Sequence, residues 1–457
     1  MISNIKTISL TGIEGSLVEV QTDITGGLPT FEIVGLPDTS VKESKERIKS
    51  AIKNSNVEFP SRRIIINLAP ASTKKEGTSY DLPIAIGILI AQKEIINNKL
   101  ENTIFIGELS LDGKINRING VLPMCIEAMN LGIRKVILPK ANEREAAVIQ
   151  NLEIIGVQNL QEVIDYLNGN KKIEKAQIDI LKIFNKKSKE KLDFSEVKGQ
   201  ENVKRALEIA AAGGHNCILI GPPGSGKTMI AKRIPTILPD LTFEESLDVT
   251  KIHSISGILD NNIGIVTTRP FRSPHHTISP TSMIGGGRNP KPGEISLAHN
   301  GVLFLDELPE FNRTTLEILR GPLEDKEVTI SRLYSKVEYP SNFMLIASMN
   351  PCPCGYYGSE EKTCNCSKIA IEKYLNKISG PLLDRIDLHV EVKPVKYQKL
   401  NSDIKPETSN QIKSRVNKAR RIQYLRYKNT GIYSNAELTP KMIEKYCKID
   451  QQSKTIL

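Results

Sequence analysis

The residues best suited to chemistry stand in four groups along a 457-residue chain. The first is Gly221, Pro222, Pro223, Gly224, Ser225, Gly226, Lys227 and Thr228, which follows the apolar run Cys217-Ile-Leu-Ile at once. Its glycines free backbone N–H groups to turn inward around phosphate oxygens, at the start of a helix whose dipole favours anions. Lys227 is expected to reach the β- and γ-phosphates of ATP, and the Thr228 hydroxyl to ligate Mg²⁺. The second group, Asp306 and Glu307, ends the run Gly301-Val-Leu-Phe-Leu. Apolar residues ending in two acids suit a central parallel strand that delivers carboxylates to the C-terminal edge of a sheet. Asp306 would hold Mg²⁺ through water. Glu307 would act as general base on the water that attacks the γ-phosphate. An acid-tipped strand alone says little, but paired in this order with the glycine loop it specifies a nucleotide-hydrolysing site.

The third group is more dispersed. Asn350 ends the apolar run Phe343-Met-Leu-Ile-Ala-Ser-Met, where a polar side chain orients the attacking water or senses the γ-phosphate. Arg385, in Gly380-Pro-Leu-Leu-Asp-Arg-Ile-Asp, cannot easily reach its own phosphate loop. It suits the nucleotide of a neighbouring subunit; a surface salt bridge is the plainer alternative. The fourth group is Cys352, Cys354, Cys364 and Cys366, two C-x-C pairs with nine residues between them. Four thiolates can close a tetrahedral structural Zn²⁺ site. The spacing is tighter than the common C-x2-C, so reduced packing cysteines and a redox switch remain open. Cys125, Cys217 and Cys447 read as ordinary buried or surface positions. His275 and His276 lack acidic or cysteine partners at ligand spacing, so loop hydrogen bonding is expected of them.

Elements must hold these groups in place. Residues 1 to 168 alternate β-like runs (LVEVQTDI, RIIINLAP, KVILP) with helical stretches such as VKESKERIKSAIKN. Between Lys171 and Lys191 there are eight lysines against Glu174, Asp179 and Glu190, which reads as a solvated linker. A new unit begins at Phe194. After Val392 the chain turns helical and basic, and Lys413, Arg415, Lys418, Arg420, Arg421, Arg426 and Lys428 form either a solvated face or a phosphate-backbone contact. The composition, 39% hydrophobic and 25% charged, excludes general disorder. The apolar run Leu82 to Ala91 is about half of a bilayer crossing, and no secretory signal is seen, so a cytoplasmic protein without a membrane is expected. A net charge of +10 permits a polyanionic partner without demanding one.

Together GPPGSGKT, FRSPHHTIS, GGGRNPKPGEISLAHNGVLFLDELPEF, SMNPCPCGYYG and GPLLDRIDLHVEV, in this order, resemble the YifB/ComM family of magnesium-chelatase-like AAA+ ATPases. FEIVGLPDTSVKESKERIKSAI and INLAPASTKKEGTSYDLPIAIGIL match the same family. The resemblance implies an α/β chain: residues 1–168 a Lon-protease-like (ribosomal protein S5 domain 2-like) α+β domain, 169–193 a basic linker, 194–395 the AAA+ core, and 396–457 a helical lid. It makes Asn350 sensor 1 and Arg385 an arginine finger, and implies a homo-oligomer, expected to be a hexamer, with ATP sites between subunits. The stretch before Glu294 resembles a helix-2 insert, and EVTISRLYSKVEYP a pre-sensor hairpin. Ser79 lies where Lon-type enzymes keep their nucleophile. Leu122 stands where they keep the lysine base, and a serine without its base is not activated, so no peptidase activity is expected. Family members continue past KTIL457 with a helix carrying the sensor 2 arginine, so the lid reads as incomplete, with truncation and impaired hydrolysis both open. The resemblance implies an ATP-driven DNA motor for branch migration in natural transformation and recombination. The alternatives are a chelatase-type motor for metal insertion into a tetrapyrrole and an ATP-binding regulator.

Overall fold

The structure, a computed structural model, describes residues 2–96, 100–185, 192–260, 262–287, 290–332, 335–359, 362–395 and 406–456. The chain forms two compact units, each with its own core. The first comprises Met1–Lys186, Ser246–Val266 and Ser331–Glu338; the second comprises Lys187–Glu245, Thr267–Ile330 and Tyr339–Leu457. Among the described residues no helix is long and apolar enough to cross a membrane.

The first unit is built on β1 (Ile2–Thr11), β2 (Glu14–Thr25), β3 (Thr30–Val34), β4 (Arg63–Ala69), β5 (Thr103–Phe105), β8 (Lys135–Pro139) and β9 (Glu153–Val157), with a short ribbon of β6 (Glu108–Leu109) and β7 (Ile115–Asn116). The large sheet runs β3-β4-β2-β1-β5-β8-β9. β1 and β2 pair antiparallel, while β5, β8 and β9 follow in parallel. In β2 the alternate residues Val18, Val20, Thr22 and Ile24 are buried, the period expected of a pleated strand. β8 is apolar almost throughout because both its faces are covered: Ile137 joins one core, Val136 and Leu138 the other. The helix Thr39–Asn54 starts where Asp38 accepts from Val41 N at 2.8 Å, and it buries Val41, Ser44, Ile48, Ala51 and Ile52 on one face. The apolar run at 82–91 is a helix, Asp81–Ala91, buried almost all round.

The lysine-rich stretch departs from the solvated linker expected of it. Ile173 packs on one core of the first unit, and Ala176, Ile178, Ile183 and Phe184 on the other. Ala176 N donates to Ile154 O at 2.8 Å. Apolar side chains interspersed among the lysines bring this segment down onto the fold while the ammonium groups stay in water. The remainder of that expectation, residues 186–191, lies outside the described residues.

In the second unit β10 (Cys217–Ile220), β11 (Phe271–Arg272), β14 (Val302–Leu305), β17 (Met344–Met349) and β18 (Leu388–Glu391) form a parallel sheet in the order β11-β14-β17-β10-β18. Two small two-stranded ribbons are separate from this sheet: β12 (Gly285–Gly286) with β13 (Lys291–Pro292), and the hairpin β15 (Glu327–Arg332) with β16 (Ser335–Pro340), whose residues Ser331–Glu338 belong to the first unit. They fall on the stretches that resemble the insert and the hairpin; residues 288–289 and 333–334 lie outside the described residues. The helices Glu201–Gly213 and Ser409–Arg426 cover one face, with Leu207, Ala211, Ile412 and Val416 buried against Leu219, Phe304 and Ile346. The first ten residues expected in the lid, 396–405, also lie outside the described residues.

Candidate functional site

Strand register decides what meets at the edge of this sheet. Ile220 pairs with Met349 and Leu219 with Ser348, while Leu305 pairs with Ala347. The residues that leave the strands, Gly221, Asp306 and Asn350, therefore emerge side by side at the C-terminal edge. After β10 the chain turns sharply through Gly224 (φ 76°) and Gly226 (φ 88°), backbone conformations open to glycine at little steric cost. Ser225 Oγ closes the turn onto Pro222 O at 2.8 Å, and the helix Lys227–Ala231 begins.

Lys227 is half-buried beneath that turn. Its ammonium donates to Gly221 O at 2.7 Å, Pro222 O at 3.0 Å and Asn350 Oδ1 at 3.2 Å, which uses all three of its protons. Burial lowers its pKa from the ordinary lysine value, against the opposing pull of Asp306 and Glu307. Thr228 Oγ1 donates to Asp306 Oδ2 at 2.6 Å. The other oxygen of Asp306 accepts from Ser348 Oγ, and from Glu307 N at 3.1 Å. A hydroxyl and a carboxylate in contact are the hard oxygen donors that Mg²⁺ takes alongside phosphate oxygens.

Glu307 sits at φ 55°, a left-handed conformation that costs a non-glycine residue about 1 kcal/mol or more. Its side chain is 60% exposed. Its Oε2 lies 3.9 Å from His276 Nδ1, and the His276 ring stands edge-on to Phe311. His275 bonds Thr277 Oγ1 at 2.9 Å, the loop role expected of it.

Arg385 is not part of this group. Its carbonyl accepts from Asn216 Nδ2 at 2.9 Å, and Leu388 pairs with Cys217, so it lies at the entry of β10 rather than its exit. The four residues of β10 separate it from Gly221 by about 13 Å along the strand. The guanidinium donates to Pro381 O at 2.5 Å and pairs with Glu324.

The four clustered thiols do converge. Cys352 Sγ lies 3.4 Å from Cys354 Sγ and 3.7 Å from Cys364 Sγ, and Cys354 and Cys364 are 3.6 Å apart. With Cys366 all four ligand atoms fall within 4.8 Å of one another. Tetrahedral thiolates at 2.3 Å from one ion stand about 3.8 Å apart, so the cluster has the size of a metal site. The Cys354 thiol is pushed down to about 6, first by the Tyr356 backbone N–H and then by Cys352. Cys125 and Cys217 are buried and Cys447 is exposed.

The basic helix divides in two. Lys413 pairs with Asp240 at 2.6 Å, Arg415 with Glu208 at 2.7 Å and Glu407 at 2.8 Å, and Arg420 donates to Ala211 O. Lys418, Arg421, Arg426 and Lys428 are exposed. In the first unit Ser79 is nearly buried and Leu122 is fully buried, with its backbone N–H on Glu145 Oε1 at 2.9 Å.

Sequence reasoning missed Ser348 and Glu324, and it missed the approach of His276, read as a loop residue, to Glu307. Ser348 lies inside an apolar strand, and only the register with β14 brings it to Asp306. His276 and Glu324 are 31 and 61 residues from their partners, Glu307 and Arg385.

Comparison with known proteins covers nearly the whole chain. Residues 193–400 match the family model described as magnesium chelatase, subunit ChlI; residues 20–142 match subunit ChlI of Mg-chelatase; residues 406–457 match the ChlI C-terminal model. The competence protein ComM of Haemophilus influenzae is 42% identical over 447 residues, covering 96% of this chain and 86% of that protein. The protein YifB of Escherichia coli is 43% identical over 453 residues, 99% of this chain and 87% of that protein. Lon protease 2 of Bacillus subtilis is 29% identical over 184 residues, 36% of this chain and 33% of that protein. This weaker likeness falls in the N-terminal region.

Proposed function

Because the chain belongs to the magnesium-chelatase-like AAA+ family of ComM and YifB, we propose that it is an ATP-hydrolysing ring motor that acts on DNA. The observation that carries the ATPase reading is the contact of Lys227, Thr228, Asp306 and Asn350 at one sheet edge, with Glu307 beside them. A triphosphate enters by exchanging its oxygens for the Gly221 and Pro222 carbonyls that the Lys227 ammonium now binds. Thr228 and Asp306 would hold Mg²⁺, which when bound would supply charge neutralisation on the phosphates. Glu307 accepts a proton from the attacking water, and Asn350 orients that water. Arg385 lies too far along β10 to serve its own loop, so it completes the site of the next subunit in a hexamer. The cysteine cluster holds Zn²⁺ through Cys352, Cys354, Cys364 and Cys366. With leucine at the position that matches the Lon lysine, the N-terminal unit is a non-peptidase domain.

DNA as the partner rests on the competence protein among the relatives and on the exposed basic residues Lys418, Arg421 and Arg426, on a helix that carries no acid, with Lys428 just beyond its end. The test is ATP turnover with and without duplex or branched DNA at two salt concentrations. Stimulation that fades as salt rises supports the reading. Turnover indifferent to DNA, but raised by a magnesium–porphyrin couple, would instead favour the chelatase role that gives the matching family its description.

A further inference from the structure

The loop that leaves β17 carries the thiol cluster and also closes on the phosphate loop. Its first residue, Asn350, accepts from Lys227 Nζ. Five residues on, Gly355 lies directly against the Pro223 ring. A methyl group built on Gly355 would stand 2.5 Å from Pro223 Cδ and 2.9 Å from Cγ, and its φ of 85° is itself unfavourable for any side chain. Between these two contacts sits the first C-x-C pair. Cys352 is fully buried, its carbonyl accepts from Gly355 N at 2.9 Å, and its sulfur accepts from Tyr357 N at 3.3 Å. The two loops also share a cleft of about 180 Å³, walled by Gly221 and Pro222 on one side and Gly355, Tyr357 and Gly358 on the other. The bend that places Asn350 and Gly355 on the nucleotide site is thus the bend that gathers the sulfurs.

We propose that metal occupancy of the four-cysteine cluster sets the affinity of the phosphate loop for nucleotide, so that a soft divalent cation acts as a regulator of the ATPase and not only as a staple. The inference rests on the zinc reading given above and extends it. With a cation bound, four thiolates are drawn together and the C-x-C bend is locked. Without one nothing holds the four sulfurs together, the bend is free to open, and both Asn350 and Gly355 withdraw from Lys227 and Pro223. Coupling of this kind is reciprocal, so bound nucleotide tightens the metal by the same factor.

The experiment uses the full chain, purified without chelator and analysed for metal. Affinity for a non-hydrolysable ATP analogue is measured on the zinc-loaded protein, after stripping, and after zinc is restored. Stripping is expected to weaken the analogue at least about fivefold, with recovery on zinc addition, and a competing chelator should read the same factor in zinc affinity when the analogue is present. A chain that takes up no zinc overturns the metal-site reading itself. Zinc uptake with equal analogue affinity in both forms overturns the coupling and leaves the site standing. Should stripping unfold the chain, zinc affinity by chelator competition with and without the analogue decides: tighter zinc in the presence of the analogue supports the coupling, and equal zinc affinity overturns it.

Discussion

In the N-terminal unit Asp81 is fully buried and accepts from Arg47 Nε at 2.7 Å, Arg47 Nη2 at 3.1 Å and Leu109 N at 3.2 Å. Glu145, also buried, accepts from Ser254, Leu122 N and Asn142. In the second unit the charged groups gather instead at a strand edge, where Lys227 takes the carbonyls of its own loop and Glu307 stays exposed. The contrast lies in the partners. Donors to Asp81 and Glu145 are fixed within the fold, and losing one strands a buried charge. Partners at the sheet edge are exchangeable, because a phosphate oxygen can replace a carbonyl on the same ammonium. One arrangement turns buried charge into rigidity, the other into binding.

The largest effect is expected at the exchangeable end. Lys227→Ala should lose nucleotide binding, and with it all turnover, because the loop loses the cation that faces the phosphates. Unchanged ATP affinity by calorimetry would remove the assignment. Arg385→Ala should bind ATP normally and lose roughly 10³-fold or more in hydrolysis, a loss typical of fingers supplied in trans. Mixing it with Lys227→Ala should restore part of the activity, since a mixed interface pairs an intact loop with an intact arginine. Inactive mixtures, with mixed rings demonstrated, mean that Arg385 serves only its pairing with Glu324.

Glu307→Gln should keep ATP binding while turnover falls by about 10²- to 10⁴-fold, because an amide does not accept the proton. Normal hydrolysis in that variant places the base elsewhere. The smallest functional effect should come from the closed network. Asp81→Ala should destabilise the chain by about 3 kcal/mol in denaturant unfolding, by stranding the Arg47 charge, and leave nucleotide affinity unchanged. If affinity falls in step with stability, the two networks are not independent and the contrast between them fails.

Much of the second unit was legible because its signals are local. An apolar run followed by glycines marks a strand and a tight turn, and an apolar run followed by two acids marks a strand tip, whatever the rest of the chain does. Asp38 as a helix start and the apolar spacing from Val41 to Ile52 are readable for the same reason. Less legible was the lysine-rich stretch, where charge outweighed the scattered Ile173, Ile178 and Phe184 that in fact dock it. The affiliation of Ser246–Val266 with the first unit left no sequence signal either, since Gly120 N finds Ser254 Oγ across 134 residues.

The sequence alone determined which residue types can do chemistry and where each strand and turn falls, because period, capping and glycine content act over a few residues. Tertiary structure decided which of them meet. The pairing of Leu305 with Ala347 sets Asp306 against Ser348, and the close approach of Gly355 to Pro223 joins the thiol loop to the phosphate loop. Arg385 is set at the entry of β10, away from that loop, by the pairing of Leu388 with Cys217. Each depends on strand register and close packing between segments far apart in the chain, and no short stretch of residues carries that energy.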